Sequence, residues 1–229
     1  FGIKDLNMMT KLFSKNGNKW KNFNPELIRD VKLERIRRLV NDGNLMLKIG
    51  IPSSEDIDGT FSEKIGIFSD YDVDGACSAA LFYKVLTYLG CNVDIHIPDR
   101  FTEGYGPNIK AIQKLNDNNA SLILTVDCGI TAHEPLKAAS DGGLDIIVID
   151  HHLAGPILPN ATAVVNPNRL DDESGFGFLC AAGVCFITCV ALLRALRQIG
   201  YRELPDLLSF LDLVGLATLC DVVPIKSLN

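Results

Sequence analysis

Seven cysteines occur in this chain without a single C-x-x-C pair. An odd number leaves at least one thiol without a partner in the chain. There is no Gly-x-Ser-x-Gly elbow and no Walker phosphate loop, which excludes serine-hydrolase chemistry and P-loop nucleotide binding in their familiar forms. No apolar run of membrane-spanning length is expected: the longest, around Leu179 to Leu196, is broken by Gly183 and Arg194. No secretory signal opens the chain, and its first residue is Phe1 rather than methionine, so it reads as a fragment of a longer protein. Internal repeats and low-complexity segments are also lacking.

What is present suits a globular domain. The 229 residues are 47% hydrophobic, enough for a sizeable core in one large or two small domains. Cys77, Cys180, Cys185 and Cys189 sit in apolar, helical contexts and read as buried, reduced thiols. That points to a reducing compartment, the cytoplasm, with no membrane partner. The net charge of −6 is unevenly spread. Residues 1–48 carry eleven Lys and Arg against five Asp and Glu, whereas the remainder carries eleven against twenty-three. Bound divalent metal would offset part of that acidity.

The acidity gathers at particular places. Ser69-Asp70-Tyr71-Asp72-Val73-Asp74-Gly75 follows the apolar run Ile65-Gly66-Ile67-Phe68. In an extended backbone, Asp70, Asp72 and Asp74 would share one face. Carboxylates so close repel and call for a cation or a proton, and hard divalent ions with oxygen ligands meet that need. Gly75 would allow a sharp exit into a helix. Three later apolar stretches end similarly. Leu122 to Val126 runs into Asp127, Asp145 to Ile149 into Asp150-His151-His152, and the helical stretch Leu213 to Ala217 leads to Asp221. In an open parallel sheet, ligands bind beyond the carboxyl ends of the strands, so the strand endings point to one place.

Along the chain, Lys11, Lys15, Lys19 and Lys21 surround Trp20 and Phe23, as either a leader or a basic, aromatic nucleic-acid contact. Asn24-Pro25-Glu26 opens a helix that runs to about Asn41. Its basic face, Lys32, Arg35, Arg37 and Arg38, is either simply solvated or tracks phosphates. Residues 50–63 read as a loop. From Ile65 the pattern is βαβα: strand 65–70, helix 76–89, strand 93–98, and a helix from Pro107 to about Asn118. Strand 122–127, helix 133–141, strand 145–150 and a short strand at Ala163–Val165 follow. After an acidic loop at 170–178 come apolar helices at 179–199 and 204–219. The expected architecture is α/β, a parallel sheet with flanking helices and a helical C-terminal segment. Residues 1–64 form a basic leader and helix, and residues 65–229 the main domain.

If Asp72, Asp74, Asp127, His151 and Asp221 converge, the cluster combines carboxylates with imidazole, which suits Mn²⁺ or a similar ion. A carboxylate between two ions would bridge them, and two ions roughly 3.5–4 Å apart would stabilise both oxygens of an in-line displacement at phosphorus. Water would be the nucleophile. Adjacent side chains diverge, so His151 and His152 are expected to divide their roles. One would ligate, while the other would hold a phosphate or protonate the leaving group. Asp150 would orient an imidazole through its second nitrogen.

Asp150-His151-His152, together with Asp70-Tyr-Asp-Val-Asp-Gly75 upstream, resembles the DHH phosphoesterase superfamily, and within it the RecJ single-strand-specific exonucleases. Further blocks carry the resemblance across residues 65–229: Pro98 to Gly106, Val126 to Gly129, Asn166 to Arg169, Leu179 to Val184 and Asp221 to Pro224. The resemblance implies metal ligation by Asp72, Asp74, Asp127, His151 and Asp221, with His152 as a metal or phosphate ligand. Asp70 and Asp150 would lie in or beside this shell, and Arg169 would contact phosphate. It also implies two Mn²⁺ or Mg²⁺ ions and single-stranded DNA as substrate. Nucleotides would be released from the 5′ end, in DNA repair and recombination. The family has Ala where Val73 stands. Its glycine-rich second domain and OB domain are expected to be missing here, and residues 1–64 match it poorly. The alternatives are a DHH phosphoesterase acting on an oligoribonucleotide, a cyclic dinucleotide or pyrophosphate, and a non-catalytic replication-associated scaffold.

Overall fold

The computed structural model describes residues 64–198 and 200–226. The expected leader and helix of residues 1–63 lie outside the described residues. Five strands form one sheet: β1 (Lys64–Ser69), β2 (Asn92–His96), β3 (Ala120–Val126), β4 (Asp145–Ile149) and β5 (Ala163–Val165). All pairings are parallel, in the order β2-β1-β3-β4-β5. The helices are α1 (Val73–Tyr88), α2 (Ile109–Asp117), α3 (His133–Asp141), α4 (Ala181–Gln198) and α5 (Leu211–Cys220). The chain leaves β1 for β2 on one side and then crosses to β3 on the other. The carboxyl ends of β1 and β3 therefore flank the switch point, where such sheets bind ligands.

Strand alternation explains the layers. Ile65, Ile67, Leu122, Leu124, Val126, Ile147 and Ile149 face one side, packed with Phe82, Val85 and Leu86 of α1 and Val184, Leu192 and Leu196 of α4. On the other side, Phe68 and Ile123 pack on Ala111 and Leu115 of α2. Ile146 and Val148 pack with Leu136 and Ala139 of α3. Burial on both faces is why β1, β3 and β4 read as nearly continuous apolar runs.

Several local expectations change. The segment Asp70 to Asp74 is not an extended strand end, because α1 already begins at Val73, capped by the Asp72 side chain accepting from Gly75 N–H at 2.9 Å. Gly75 is therefore the third residue of the helix rather than a hinge before it. Its role is close approach, since a Cβ there would sit 2.5 Å from the Asp70 carbonyl oxygen. Pro107 precedes the N-cap Asn108 rather than opening α2. The helix expected at 204–219 divides into a 3₁₀ turn, Leu207–Phe210, and α5.

By length and composition, α4 is apolar enough to cross a membrane, contrary to the sequence reading. Eleven of its 18 residues are buried, against the sheet and α1, so its apolarity belongs to the core.

Candidate metal centre

Asp70 directly follows β1 and is 4% exposed. Its Oδ1 accepts from Tyr71 N–H at 2.8 Å, and burial raises its pKa despite that bond. Asp72 is exposed at the N-cap of α1. Asp74, two residues further, is 2% exposed. Its two oxygens accept from Ala181 N–H at 2.6 Å and Ala182 N–H at 2.8 Å, the first amides of α4. Burial raises the Asp74 pKa, against the pull of those two amides. One carboxylate thus ties α1 to the N-terminus of α4, where a helix favours negative charge.

Asp127 follows β3 with φ +59°, in the left-handed region, which non-glycine residues adopt uncommonly and aspartate more readily than most. Its amide donates to the Ile149 carbonyl at 3.0 Å. The residue is 1% exposed, and Oδ1 has no hydrogen-bond partner. Burial, opposed by His151 and reinforced by the charges of Asp74 and Asp72, pushes its pKa up to about 8. A buried carboxylate oxygen left unpaired is costly, and a bound cation would remove that cost.

Asp150 directly follows β4 and is fully buried. Its carboxylate is consumed internally. Oδ1 accepts from the amides of His151 (2.7 Å) and His152 (3.1 Å) and pairs with His152 Nδ1 at 2.8 Å, while Oδ2 accepts from Ile130 N–H at 3.0 Å. Burial alone would raise its pKa, but His152 and these amides outweigh it and hold the group below the ordinary range. Asp150 therefore acts as an orienting group, and its hydrogen bonds saturate it. His152 is held through Nδ1, so Nε2 is the nitrogen left for a ligand; the Asp150 bond raises its pKa despite partial burial.

His151 Nδ1 lies 3.1 Å from the Leu179 carbonyl. A carbonyl only accepts, so Nδ1 carries the proton, and in the neutral ring Nε2 carries the lone pair. Nε2 sits 3.3 Å from Asp127 Oδ1 and 3.8 Å from both Asp74 Oδ2 and Asp221 Oδ2. Burial disfavours its charge, but Asp127, Asp74 and Asp221 win, raising its pKa to about 9. Asp221 arrives from the C-cap of α5, its amide bonded to the Ala217 carbonyl at 2.9 Å.

Among the described residues, three overlapping groups have ligand atoms within 4.8 Å of one another: Asp127, His151 and His152; Asp74, His151 and Asp221; and Asp70, Asp72 and Asp127. Asp127 and His151 each belong to two. The two imidazoles do not diverge as adjacency suggested. Their ring centroids are 4.7 Å apart, because Asp150 gathers both amides and turns His152 back, so both reach one group. Arg169 is engaged elsewhere. Its guanidinium forks onto Asp171 at 2.9 and 2.6 Å and donates to the Val164 carbonyl at 2.7 Å, an arrangement that an incoming phosphate would have to displace.

The sequence reading gave no role to Leu179, Ala181 and Ala182, whose backbone groups hold His151 and Asp74. It also gave none to Asn166 and Asn168, whose side chains donate to the His152 and His151 carbonyls. A run of rings leads outward from the cluster. His152 meets Tyr105 edge-on at 6.2 Å, Tyr105 meets Tyr71 at 6.5 Å, and Arg100 lies over Tyr71 at 5.5 Å.

Comparison with known proteins follows the same lines. Residues 64–218 match the model of the DHH family, N-terminal domain; Asp221 lies just beyond the match. The single-stranded-DNA-specific exonuclease RecJ of Escherichia coli K12 is 40% identical over 160 residues, covering 67% of this chain and 28% of the relative. That of Bacillus subtilis 168 is 43% identical over 152 residues, covering 66% and 18%. The chain thus spans less than a third of the length of these relatives. A crystal structure of exonuclease RecJ bound to manganese superposes with a TM-score of 0.66 at 32% identity, over 82% of this chain and 44% of the other. RecJ from Thermus thermophilus in complex with Mn²⁺ gives 0.61 at 29%, over 82% and 25%.

Proposed function

The chain belongs to the DHH family, and from that premise we infer that it is the catalytic core of a metal-dependent phosphodiesterase that removes nucleotides from the 5′ end of single-stranded DNA. The observation that carries this reading is Asp127. Its buried, unpartnered Oδ1 faces His151 Nε2 where the ends of β1, β3, β4 and α5 meet. The names of the exonuclease relatives and the manganese in the similar structures support it.

Asp72, Asp74, Asp127, His151 and Asp221 would hold two divalent ions, Mn²⁺ or Mg²⁺, which when bound supply Lewis-acid charge at phosphorus and a more acidic water. Asp127, shared by two of the groups, suits a bridging position. His151 presents Nε2 because Leu179 holds Nδ1. His152, fixed by Asp150 and half-exposed, offers Nε2 to a substrate phosphate or as a proton donor to the leaving oxygen. Arg169 would contact phosphate by exchanging Asp171 for it. The exposed rings of Tyr105 and Phe101 offer faces on which bases stack without sequence preference. Repair and recombination of DNA in the cytoplasm complete the proposal. All seven cysteines are unpaired and six are buried, which supports a reducing location.

The test is digestion of single-stranded DNA labelled at the 5′ or the 3′ end, with Mn²⁺ or EDTA. Mn²⁺-dependent release of the 5′ label as mononucleotide supports the exonuclease. Intact DNA alongside hydrolysis of a dinucleotide or pyrophosphate would transfer the reading to a small-substrate phosphoesterase.

A further inference from the structure

We propose that Asn166 and Asn168 form an amide clamp that sets the positions of His151 and His152, and through them the affinity of the acidic centre for divalent cations. The proposal rests on the metal-dependent reading above. Asn166 is 1% exposed. Its Nδ2 donates to the His152 carbonyl at 2.9 Å, and its Oδ1 accepts from Asn168 N–H at 2.7 Å. Reversing the amide would set oxygen against carbonyl, so the network settles its orientation. Asn168 Nδ2 donates to the His151 carbonyl and, at 3.4 Å, to the Gly177 carbonyl. Backbone bonds flank the pair, from Asp150 N–H to the Val165 carbonyl at 3.0 Å and from Ala154 N–H to the Asn168 carbonyl at 3.3 Å. Pro167, between the two asparagines, fixes its own φ and restricts Asn166 to extended backbone.

Each histidine is consequently held at three points. Its amide is bonded to Asp150, its carbonyl to an asparagine, and its Nδ1 to Leu179 or Asp150. The hydrogen bonds of the asparagine side chains go to backbone groups and not to the imidazoles, so they are positioning residues. Removing a carbonyl anchor leaves the rings hung from the remaining two points, and groups of this kind typically change metal affinity by roughly 10–100-fold. Gly177 belongs to the same device. A Cβ there would collide with Asn168 Oδ1, so Gly177→Ala displaces the clamp without altering a histidine or an asparagine.

The experiment measures Mn²⁺ affinity by calorimetry, and the electron paramagnetic resonance of bound Mn²⁺, for the wild-type chain, Asn166→Ala, Asn168→Ala and Gly177→Ala. It is run below the unfolding temperature of each, with circular dichroism as the folding control. The expected result is a Kd raised about 10-fold or more and a broadened resonance in folded variants. Folded variants with wild-type affinity and spectrum would overturn the clamp while leaving the metal centre standing. A wild-type chain that binds no Mn²⁺ would overturn both. Should Asn166→Ala fail to fold, the partly exposed Asn168 and Gly177→Ala carry the test.

Discussion

Asp127 Oδ1 lies 3.3 Å from His151 Nε2, yet the two are not aligned for a hydrogen bond. In the metal-free chain, this contact sets a desolvated carboxylate oxygen against the imidazole Nε2, with neither atom hydrogen-bonded. Asp127→Asn removes the buried charge. It should stabilise the metal-free protein at pH 8 by about 1–3 kcal/mol, read as a higher urea midpoint in EDTA. A destabilised variant would mean that the Asp127–His151 contact is worth more than its desolvation costs.

The pH dependence follows from the same pair. Burial raises Asp127 from 3.8 to about 8, and the neighbouring carboxylates raise His151 from 6.5 to about 9. Both hold protons more tightly folded than unfolded, so stability from them is complete at low pH and is lost as pH rises. Between about pH 4 and pH 9 the metal-free melting temperature should fall. Because a cation must displace those protons, Mn²⁺ should raise the melting temperature more at pH 8.5 than at pH 6. Scanning calorimetry with and without Mn²⁺ checks both slopes.

Asp150 should behave in the opposite way to Asp127. Its carboxylate is buried and fully bonded. Asp150→Asn would turn an N–H₂ toward donors and destabilise the chain by roughly 2–4 kcal/mol in urea unfolding. Equal stability would show that the four hydrogen bonds contribute little.

Gly75→Ala tests the corner between β1 and α1. The new Cβ would meet the Asp70 carbonyl oxygen at 2.5 Å, its carbon at 2.8 Å and its Cα at 3.0 Å. These are backbone atoms that cannot swing aside. About 1–3 kcal/mol should be lost, with weaker Mn²⁺ binding because Asp70 and Asp72 shift with the corner. An unchanged Mn²⁺ Kd would separate the corner from the site.

Much of this was legible in the chain itself. Leu122–Val126 and Asp145–Ile149 announce buried parallel strands because both faces are apolar, and the residues that follow them, Asp127 and His151, meet at 3.3 Å. Asp221 is marked by the apolar stretch Leu213 to Ala217 before it, and the DHH resemblance implies its role as a ligand. The arrangement of Asp70, Asp72 and Asp74 was misjudged because alternation assumes a strand. Asp72 is a helix cap, and an aspartate standing just before the helical run that reaches Tyr88 was the available signal. Asp74 meets Ala181 and Ala182 more than a hundred positions later, and Asn166 and Asn168 meet the histidines across a loop. Periodicity carries no trace of such contacts, since only the folded sheet brings the partners together.

The most direct test of the account is a calorimetric titration of the EDTA-stripped chain and of Asp127→Ala with Mn²⁺ at pH 8. The wild type should bind saturably, with proton release, and the variant should lose that binding while the fold persists. Wild-type affinity in Asp127→Ala would contradict the assignment of the centre to Asp127.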